Sequence, residues 1–311
     1  MRLSWCLDRR ALLHALASEQ LISSLIDPRA AIAVAEPVIT RLPQPGRLVA
    51  IGDIHGDVQA FRKILQVAGL YDESKGGWTG GDATLVQIGD VLDRGDDELA
   101  CLELIRRLKT EASLSGGRVV TMLGNHEVMN AAGITSYASP RSAAAFDDRA
   151  MAFRAGSTLA REIAPWPVCC VVGDTAFAHA GLTRAQVSRG LEALNTESAR
   201  WLEGSSGTLP PELLWPSSPR SPKSPLWMRD LSDPPMGSPP ADACSELSEA
   251  LAVLGARRLV VGHTVQPRIS CACDCTVFRV DVGLSSAMGS GLPQALEIGV
   301  DGTVRVLAAR V

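Results

Sequence analysis

The chain has 311 residues, of which 46% are hydrophobic and 21% are charged, a balance typical of a globular protein with a substantial core. Its net charge of −4 and its isoelectric point near 5.8 provide no electrostatic attraction for nucleic acid or an anionic membrane surface. No run of about 18 apolar residues occurs, so the sequence predicts no membrane-spanning helix. We therefore expect neither nucleic acid nor a membrane among the partners.

The first 46 residues differ in composition from the rest of the chain. Residues 1–35 contain four arginines, several serines and alanines, and only three acidic residues. This composition is typical of an organelle transit peptide, but it also fits an amphipathic helix near Arg10–Ile26 that packs on the following domain. Three prolines in Glu36–Gly46 indicate a linker. We therefore place the main domain at residues 47–311.

Apolar runs of strand length alternate with amphipathic segments through the first half of the chain, as expected for an α/β fold. A Gly173-Asp174 turn between two short apolar runs suits a β-hairpin. The predicted strands are 48–51, 85–88, 118–123, 168–172 and 175–178, and the predicted helices are 58–68, 96–110, 141–162 and 184–203.

The second half of the chain begins with a break in composition. Gly204–Ala243 contains ten of the chain's 19 prolines, which predicts an irregular loop inserted into the domain. Within it, Pro225–Asp230 is the one apolar stretch that carries a cation, Arg229. After this loop we expect a helix at 244–254 and strands at 258–261, 277–282, 294–298 and 303–308.

Five short motifs place polar side chains directly after apolar runs, where buried strands would end. They are Gly-Asp-Ile-His-Gly at 52–56, Gly-Asp-Val-Leu-Asp-Arg-Gly at 89–95, Gly-Asn-His-Glu at 124–127, and single histidines at 179 and 263. One Gly-Asp at a strand end usually marks a turn, but turns do not explain five sites that contain four of the five histidines. Carboxylate, amide and imidazole groups in this setting predict a two-metal hydrolase site.

Such a site requires one carboxylate that bridges two cations about 3.5–4 Å apart. Asp90 lies midway among the candidate ligands in the sequence and is the natural choice for this bridge. Because the ligands combine oxygen and imidazole groups, we expect two divalent or trivalent ions of Mn, Fe or Zn rather than Mg or Ca. The other candidate ligands are Asp53 and His55 for one ion, and Asn125, His179 and His263 for the second ion.

Four further residues have candidate roles in catalysis. His126 directly follows a candidate ligand and would donate a proton to the leaving alcohol, a common task of an active-site histidine. Asp93 could accept the other ring N–H of His126 and fix its tautomer. Arg94 and Arg229 offer planar guanidinium groups for phosphate oxygens, and a structural salt bridge is the alternative for each arginine.

Most of the eight cysteines lie in apolar runs, where a free thiol packs as a small hydrophobic group. Without a secretory leader we expect no disulfide framework. Cys271-Ala-Cys273-Asp-Cys275 is the exception. Its thiols could be plain surface-loop cysteines, a redox-active pair or part of a structural zinc site, although no fourth ligand has zinc-ribbon spacing.

The five motifs resemble those of the metallophosphoesterases, and specifically the phosphoprotein phosphatase family, in order and approximate spacing. Gly89–Glu98, and Phe278–Ser286 followed by Gln294–Ile298, resemble the Shewanella-like branch, a bacterial type also found in plants and algae. The resemblance covers residues 47–309 and implies a metallophosphoesterase fold with a central two-sheet β sandwich flanked by helices. It also implies, motif by motif, the roles given above for each candidate residue.

Plant members of one subgroup reside in chloroplasts and carry a cysteine pair similar to Cys271 and Cys275. The resemblance therefore favours a transit peptide at residues 1–35 and a chloroplast location, with the cytoplasm as the alternative. Two features depart from this pattern: the segment between His126 and His179 is short compared with that expected of plastid members, and the 204–243 loop is richer in proline than a well-ordered substrate loop. Both bear on which phosphoprotein is admitted.

The resemblance implies a phosphatase that hydrolyses phosphoserine and phosphothreonine in a phosphoprotein by attack of a metal-bridging hydroxide. The sequence identifies no regulatory subunit. One alternative is the same core acting on a small phosphoester, such as a dinucleoside polyphosphate. Another is a non-catalytic scaffold that binds a partner, which the intact ligands and His126 disfavour because a scaffold needs no general acid.

Overall fold

The computed structural model describes residues 38–215 and 223–309. The predicted transit segment, and the alternative helix near Arg10–Ile26, lie outside the described residues. In chain order the strands are β1 (Arg41–Leu42), β2 (Leu48–Ile51), β3 (Tyr71–Asp72), β4 (Gly77–Trp78), β5 (Thr84–Gln87), β6 (Arg118–Thr121), β7 (Cys169–Val172), β8 (Thr175–Ala178), β9 (Arg258–Val261), β10 (Ser270–Ala272), β11 (Val277–Arg279), β12 (Gln294–Ile298) and β13 (Val304–Ala308). The α-helices are α1 (Val58–Val67), α2 (Glu98–Leu114), α3 (Asn125–Ala131), α4 (Pro140–Ala143), α5 (Arg149–Phe153), α6 (Thr158–Ile163), α7 (Arg184–Val187), α8 (Leu191–Leu202) and α9 (Ala241–Leu254).

Two large sheets share one hydrophobic core. The five-stranded sheet has the order β13-β12-β2-β5-β6, in which β2, β5 and β6 are parallel. The six-stranded sheet has the order β1-β7-β8-β9-β11-β10 and includes the parallel pairs β8–β9 and β9–β11. Every residue of β2, β5, β7, β8 and β9 is buried. Strands that are covered on both faces need no alternation of apolar and polar residues, which is why these strands appear in the sequence as apolar runs.

The strand ends explain why the motifs meet. The five motifs follow the carboxyl ends of β2, β5, β6, β8 and β9. Neighbouring parallel strands place their carboxyl ends at the same edge of a sheet, which is where α/β folds bind ligands.

Two predicted helices are interrupted. The stretch at 141–162 forms three short helices, because Asp148 and Ser157 act as N-caps whose side chains accept backbone N–H groups of the following turn. The stretch at 184–203 forms α7 and α8, which are separated by Gly190 with a φ of 88°. Gly190 is the N-cap of α8, and glycine adopts such a positive φ without steric cost; apolar periodicity alone does not reveal such a break.

Two predicted boundaries in the sheets are corrected. The predicted linker contributes β1, whose Arg41–Leu42 pair in parallel with Val171–Val172, since its prolines lie outside these two residues. The predicted strand at 277–282 ends at Arg279, which pairs with Val261, the last residue of β9.

The proline-rich loop contains no helix or strand among its described residues before α9 begins at Ala241, as predicted. It is nevertheless anchored in the core, where Leu214 and Leu226 are fully buried. None of the helices in the described residues is long and apolar enough to cross a membrane.

The expectation of no disulfide framework is wrong, and the three cysteines of Cys271–Cys275, for which the sequence left a redox-active pair open, are all paired. Cys244 of α9 is joined to Cys273, and Cys271 is joined to Cys275. Cys244 precedes Cys273 by 29 residues, so only the fold brings them together. The three other described cysteines are buried free thiols, as predicted. Pairing of all three thiols in Cys271–Cys275 contradicts the structural zinc alternative.

Candidate metal centre and proton donor

The candidate metal centre is built around Asp90. Its Oδ2 lies 3.7 Å from Nε2 of His55 and 3.3 Å from Nε2 of His179. The ligand atoms of Asp90, His179 and His263 lie within 4.8 Å of one another, as do those of Asp90, His55 and His126. Asp90 is therefore common to two groups that could each hold a cation, as expected of a bridging carboxylate.

The two remaining predicted ligands border the same cluster. The Oδ1 atom of Asn125 is 3.0 Å from Nε2 of His179. The carboxylate of Asp53 accepts the backbone N–H of His263, at 3.2 and 3.3 Å for its two oxygens. Asp53, which follows β2 in the sequence, therefore lies beside His263. The structure thus brings all six predicted ligands together.

Backbone groups orient the imidazole rings. Nδ1 of His55 lies 3.0 Å from the Leu92 carbonyl oxygen, and Nδ1 of His179 lies 2.8 Å from the Ile88 carbonyl oxygen. Donation of Nδ1–H to these carbonyls leaves the Nε2 lone pair free for a cation. The ring of His263 hydrogen-bonds the Trp227 backbone, while its buried Nε2 has no hydrogen-bond partner among the described residues. Such a buried polar atom is costly to leave unpaired, and a cation would satisfy it.

The protonation states mostly suit cation binding. Burial lowers the pKa of His55 to about 4 and holds the pKa of His263 well below its usual value, so both rings are neutral ligands near pH 7. Although burial opposes ionisation, His179 and His126 hold the pKa of Asp90 well below its usual range. His179 and Asp53 are the exceptions. Despite the burial of His179, Asp90 raises the pKa of His179 to about 10, and burial raises the pKa of Asp53 well above its usual value, so a cation must displace a proton from each. The donor set as a whole fits a pair of metal ions.

Glu127 holds two ligand-bearing loops together. Its carboxylate accepts the backbone N–H groups of Gly124, Asp90, Val91 and Leu92 at 2.8–3.0 Å. The loops after β5 and β6 are thereby fixed relative to one another. This role of Glu127 was not predicted from the sequence, although a glutamate at the third helical position is a recognisable capping signal.

Several site residues have a strained backbone. Positive φ angles between 46° and 68° occur at five candidate residues. Non-glycine residues rarely adopt such angles, and those that do are concentrated at functional sites. The residues are His55, Asp90, Asp93, Arg94 and His263.

His126 has the support predicted for a proton donor. Its Nδ1 lies 2.7 Å from Oδ2 of Asp93, and its Nε2 is 3.9 Å from Oδ2 of Asp90. Burial disfavours the charged ring, but the Asp90 charge and the hydrogen bond to Asp93 raise the pKa of His126. A raised pKa keeps a proton available for transfer to a leaving group.

The residues that hold Asp93 in place were not predicted from the sequence. Asp93 is fully buried and also accepts hydrogen bonds from Asn130 and Arg149, each at 3.0 Å. Arg149 in turn pairs with Glu98. Arg149 is 56 residues from Asp93 along the chain, and no local motif marks it.

Arg94 and Arg229 line a cleft of about 170 Å³ that opens onto the metal cluster. The Arg94 guanidinium lies 4.6 Å from the centroid of the Tyr137 ring. The NH1 group of Arg229 donates to Oγ1 of Thr264 at 2.8 Å. Neither arginine forms a salt bridge with a described carboxylate, in contrast to the structural alternative considered from the sequence.

Comparison with known proteins agrees with this site. A profile of the calcineurin-like phosphoesterase family matches residues 46–267. Shewanella-like protein phosphatase 2 of Arabidopsis thaliana is 32% identical, over 93% of this chain and 84% of that protein. Shewanella-like protein phosphatase 1 of Plasmodium berghei is 29% identical, over 82% of this chain and 72% of that protein.

The fold also matches solved structures. The cold-active protein-tyrosine phosphatase of a psychrophilic Shewanella species superposes with a TM-score of 0.71 at 22% identity, covering 87% of this chain and 83% of that one. The fold is therefore the metallophosphoesterase fold, with its two central sheets and flanking helices. The chain belongs to the calcineurin-like phosphoesterase family and is a metal-dependent phosphatase of the Shewanella-like type.

Proposed function

We propose that this phosphatase acts on phosphoproteins and hydrolyses phosphoserine and phosphothreonine, with two ions of Mn, Fe or Zn as cofactors. One observation carries the proposal: His126, braced by Asp93, faces the same carboxylate, Asp90, that two candidate cation groups share. Mixed oxygen and imidazole donors suit these transition metals. A proton donor beside such a centre is the arrangement that phosphoester hydrolysis needs.

The side chains divide the work of hydrolysis. A bound cation pair supplies an activated water and offsets phosphoryl charge. Arg94 and Arg229 bind the phosphoryl oxygens through their guanidinium groups and turn the phosphorus toward Asp90. His126 donates its Nε2 proton to the departing seryl or threonyl oxygen, while Asp93 holds the opposite ring nitrogen.

The size of the cleft favours a side chain on a protein as the substrate. Sites that enclose small ligands usually measure about 300–1,000 Å³, whereas this cleft measures about 170 Å³. A phosphoryl group and part of its side chain fit, and the rest of the substrate lies outside. A dinucleoside polyphosphate would therefore be poorly enclosed.

The test compares substrates under one metal condition. Purified protein is stripped with a chelator, reloaded with Mn²⁺, and assayed on peptides that differ only in phosphoserine, phosphothreonine or phosphotyrosine, alongside diadenosine tetraphosphate. Metal-restored phosphate release from the first two peptides is expected. Release from the phosphotyrosine peptide alone would transfer the assignment to tyrosine, and release from the nucleotide alone would overturn the phosphoprotein assignment.

We also propose redox control through Cys271 and Cys275. Their disulfide lies at the β10–β11 turn, and the chain after β11 leads to Asp281, which lines the cleft. Reduction would free the start of this segment. Equal activity of the oxidised and reduced protein would refute the proposal.

A chloroplast location is a further proposal, supported by the composition of residues 1–35. Imaging of the full chain fused at its C-terminus to a fluorescent protein tests it. Plastid fluorescence is expected, and a diffuse cytoplasmic signal would contradict it.

A further inference from the structure

We propose that Arg149 is a positioning residue for proton transfer: it fixes the carboxylate of Asp93, which in turn orients His126. The inference deepens the proposed function and rests on the assignment of His126 as proton donor. Arg149 does not line the cleft, so it acts through its neighbours rather than on the substrate.

The guanidinium of Arg149 binds several acceptors at once. Its side chain is only 4% exposed. The NH2 group donates to Oδ1 of Asp93 at 3.0 Å and to Oε2 of Glu98 at 2.9 Å, and NH1 donates to Oγ of Ser142 at 3.0 Å. NH1 also donates to Oε1 of Glu98. A planar guanidinium fixes the relative angles of such acceptors, which a lysine ammonium does not.

Both oxygens of Asp93 are engaged, which prevents rotation of its carboxylate. Arg149 holds Oδ1 at 3.0 Å, and Oδ2 lies 2.7 Å from Nδ1 of His126. With Oδ1 held, Oδ2 remains aimed at the imidazole ring. The orientation of His126 therefore depends on a residue that His126 does not touch.

A second route, through the side chain of Asn130, connects Arg149 to Asp93 and His126. The Nε group of Arg149 donates to Oδ1 of Asn130 at 3.0 Å. The Nδ2 group of Asn130 then donates to Oδ2 of Asp93 at 3.0 Å and to the His126 carbonyl oxygen at 2.9 Å. These contacts also fix the amide of Asn130 with its oxygen toward Arg149.

Packing and charge keep Arg149 in place. Its guanidinium carbon lies 4.8 Å from the Phe153 ring centroid and 5.6 Å from that of Phe146, so two aromatic rings border the ion. Asp93 and Glu98 are fully buried or nearly so. Buried carboxylates deprived of their cation are strongly disfavoured, and loss of the guanidinium would therefore force Asp93 to change its contacts.

The step that Arg149 supports is a single proton transfer. As the ester P–O bond breaks, its electron pair remains on the leaving oxygen, while the oxygen of water bonds to phosphorus and releases one proton to solvent. The Nε2 proton of His126 moves to the leaving oxygen, and His126 regains a proton from solvent. Arg149 keeps its own protons throughout, since a guanidinium does not titrate in proteins.

A leaving-group comparison tests this role. p-Nitrophenyl phosphate and phenyl phosphate have similar size, but p-nitrophenolate departs readily without a proton whereas phenolate needs one. For Arg149→Met we expect kcat on phenyl phosphate to fall about tenfold to a hundredfold, as for loss of a residue that orients an active-site histidine. We expect kcat on p-nitrophenyl phosphate to fall less than about threefold, because that reaction needs little acid catalysis.

Two further variants complete the design. Arg154→Met removes an exposed arginine from the same segment and should match the wild type on both substrates. Arg149→Lys keeps the buried charge without the planar contacts and should show a smaller loss of kcat that is again selective for phenyl phosphate. This variant replaces Arg149→Met if circular dichroism shows Arg149→Met to be unfolded.

An equal loss of kcat on both substrates, or no loss, would overturn the inference. Equal loss would mean that Arg149 only stabilises the fold. A wild-type protein that hydrolyses neither the esters nor the phosphopeptides after metal reloading would instead refute the proposed function.

Discussion

The candidate metal cluster and the proton-donor network meet at the same cleft but are held in different ways. Around Asp90, backbone carbonyl groups orient the rings of His55 and His179. Around His126, the orienting groups are side chains: the carboxylate of Asp93 and the guanidinium of Arg149. Backbone groups are supplied by any sequence that adopts the fold, whereas the donor network depends on particular residues.

This difference separates two kinds of failure. Loss of a ligand around Asp90 should remove bound metal and, with it, hydrolysis of every phosphoester. Loss of a side chain behind His126 should leave the metal in place and affect only reactions whose leaving group needs a proton. The variants below break one region while sparing the other.

The largest effect is expected for Asp90→Asn. The neutral amide cannot bridge two cations as a carboxylate does, so metal should be lost. Because bound metal contributes several kcal/mol to such reactions, activity should fall by roughly a thousandfold or more. The matched control is Asp147→Asn, an exposed aspartate that should retain wild-type turnover. Wild-type phosphate release by the Asp90 variant would refute the bridging role.

A smaller, selective effect is expected for His126→Asn. Loss of a general acid typically lowers turnover by about 10²–10⁴-fold, and phenyl phosphate should suffer more than p-nitrophenyl phosphate. Steady-state kinetics on the two esters measure this ratio. If both esters lose the same factor, His126 does not supply the proton.

The metal cluster could be predicted from the sequence because each ligand follows a strand. Asp53, Asp90 and Asn125 stand in short motifs after apolar runs, and parallel pairing of β2, β5 and β6 brings those motifs to one edge. Local sequence therefore carried the information. Only the placement of Asp53 beside the His263 backbone required the fold.

Arg229→Met should have a moderate effect on substrate binding. Arg229 is exposed at the cleft and anchored to Thr264, so its loss should raise KM about tenfold, the value of one charge-assisted hydrogen bond, with a smaller change in kcat. The control Arg268→Met alters an exposed arginine outside the cleft lining. A change in metal content instead of KM would mean that Arg229 holds His263 in position rather than binding the substrate.

The smallest effect on activity is expected for Cys244→Ser. The bond from Cys244 to Cys273 closes a segment of 29 residues, and its loss should lower the free energy of unfolding by about 3 kcal/mol. Turnover at 25 °C should be unchanged. Urea unfolding measures the loss, and the wild type in reductant should become at least as unstable as the variant. Unchanged stability would mean that this bond does not constrain the fold.

The contact of Arg149 with Asp93 and the Cys244–Cys273 disulfide could not be predicted, because in each case the partners are distant in sequence. Arg149 lies in a stretch whose apolar spacing suggested one continuous helix, while the caps at Asp148 and Ser157 divide it. The short helix α5 that results presents Arg149 to Asp93. Similarly, α9 brings Cys244 to the β10–β11 turn. Such contacts arise from packing, which residue spacing does not encode.

The most direct test of the separation between the two regions is the metal content of His126→Asn. His126 lies close enough to His55 and Asp90 to be a ligand itself, so this variant decides between ligand and proton donor. Elemental analysis of the gel-filtered protein should find as many ions per chain in His126→Asn as in the wild type, and fewer in Asp90→Asn. Loss of an ion from His126→Asn would show that His126 belongs to the metal cluster and would contradict the account.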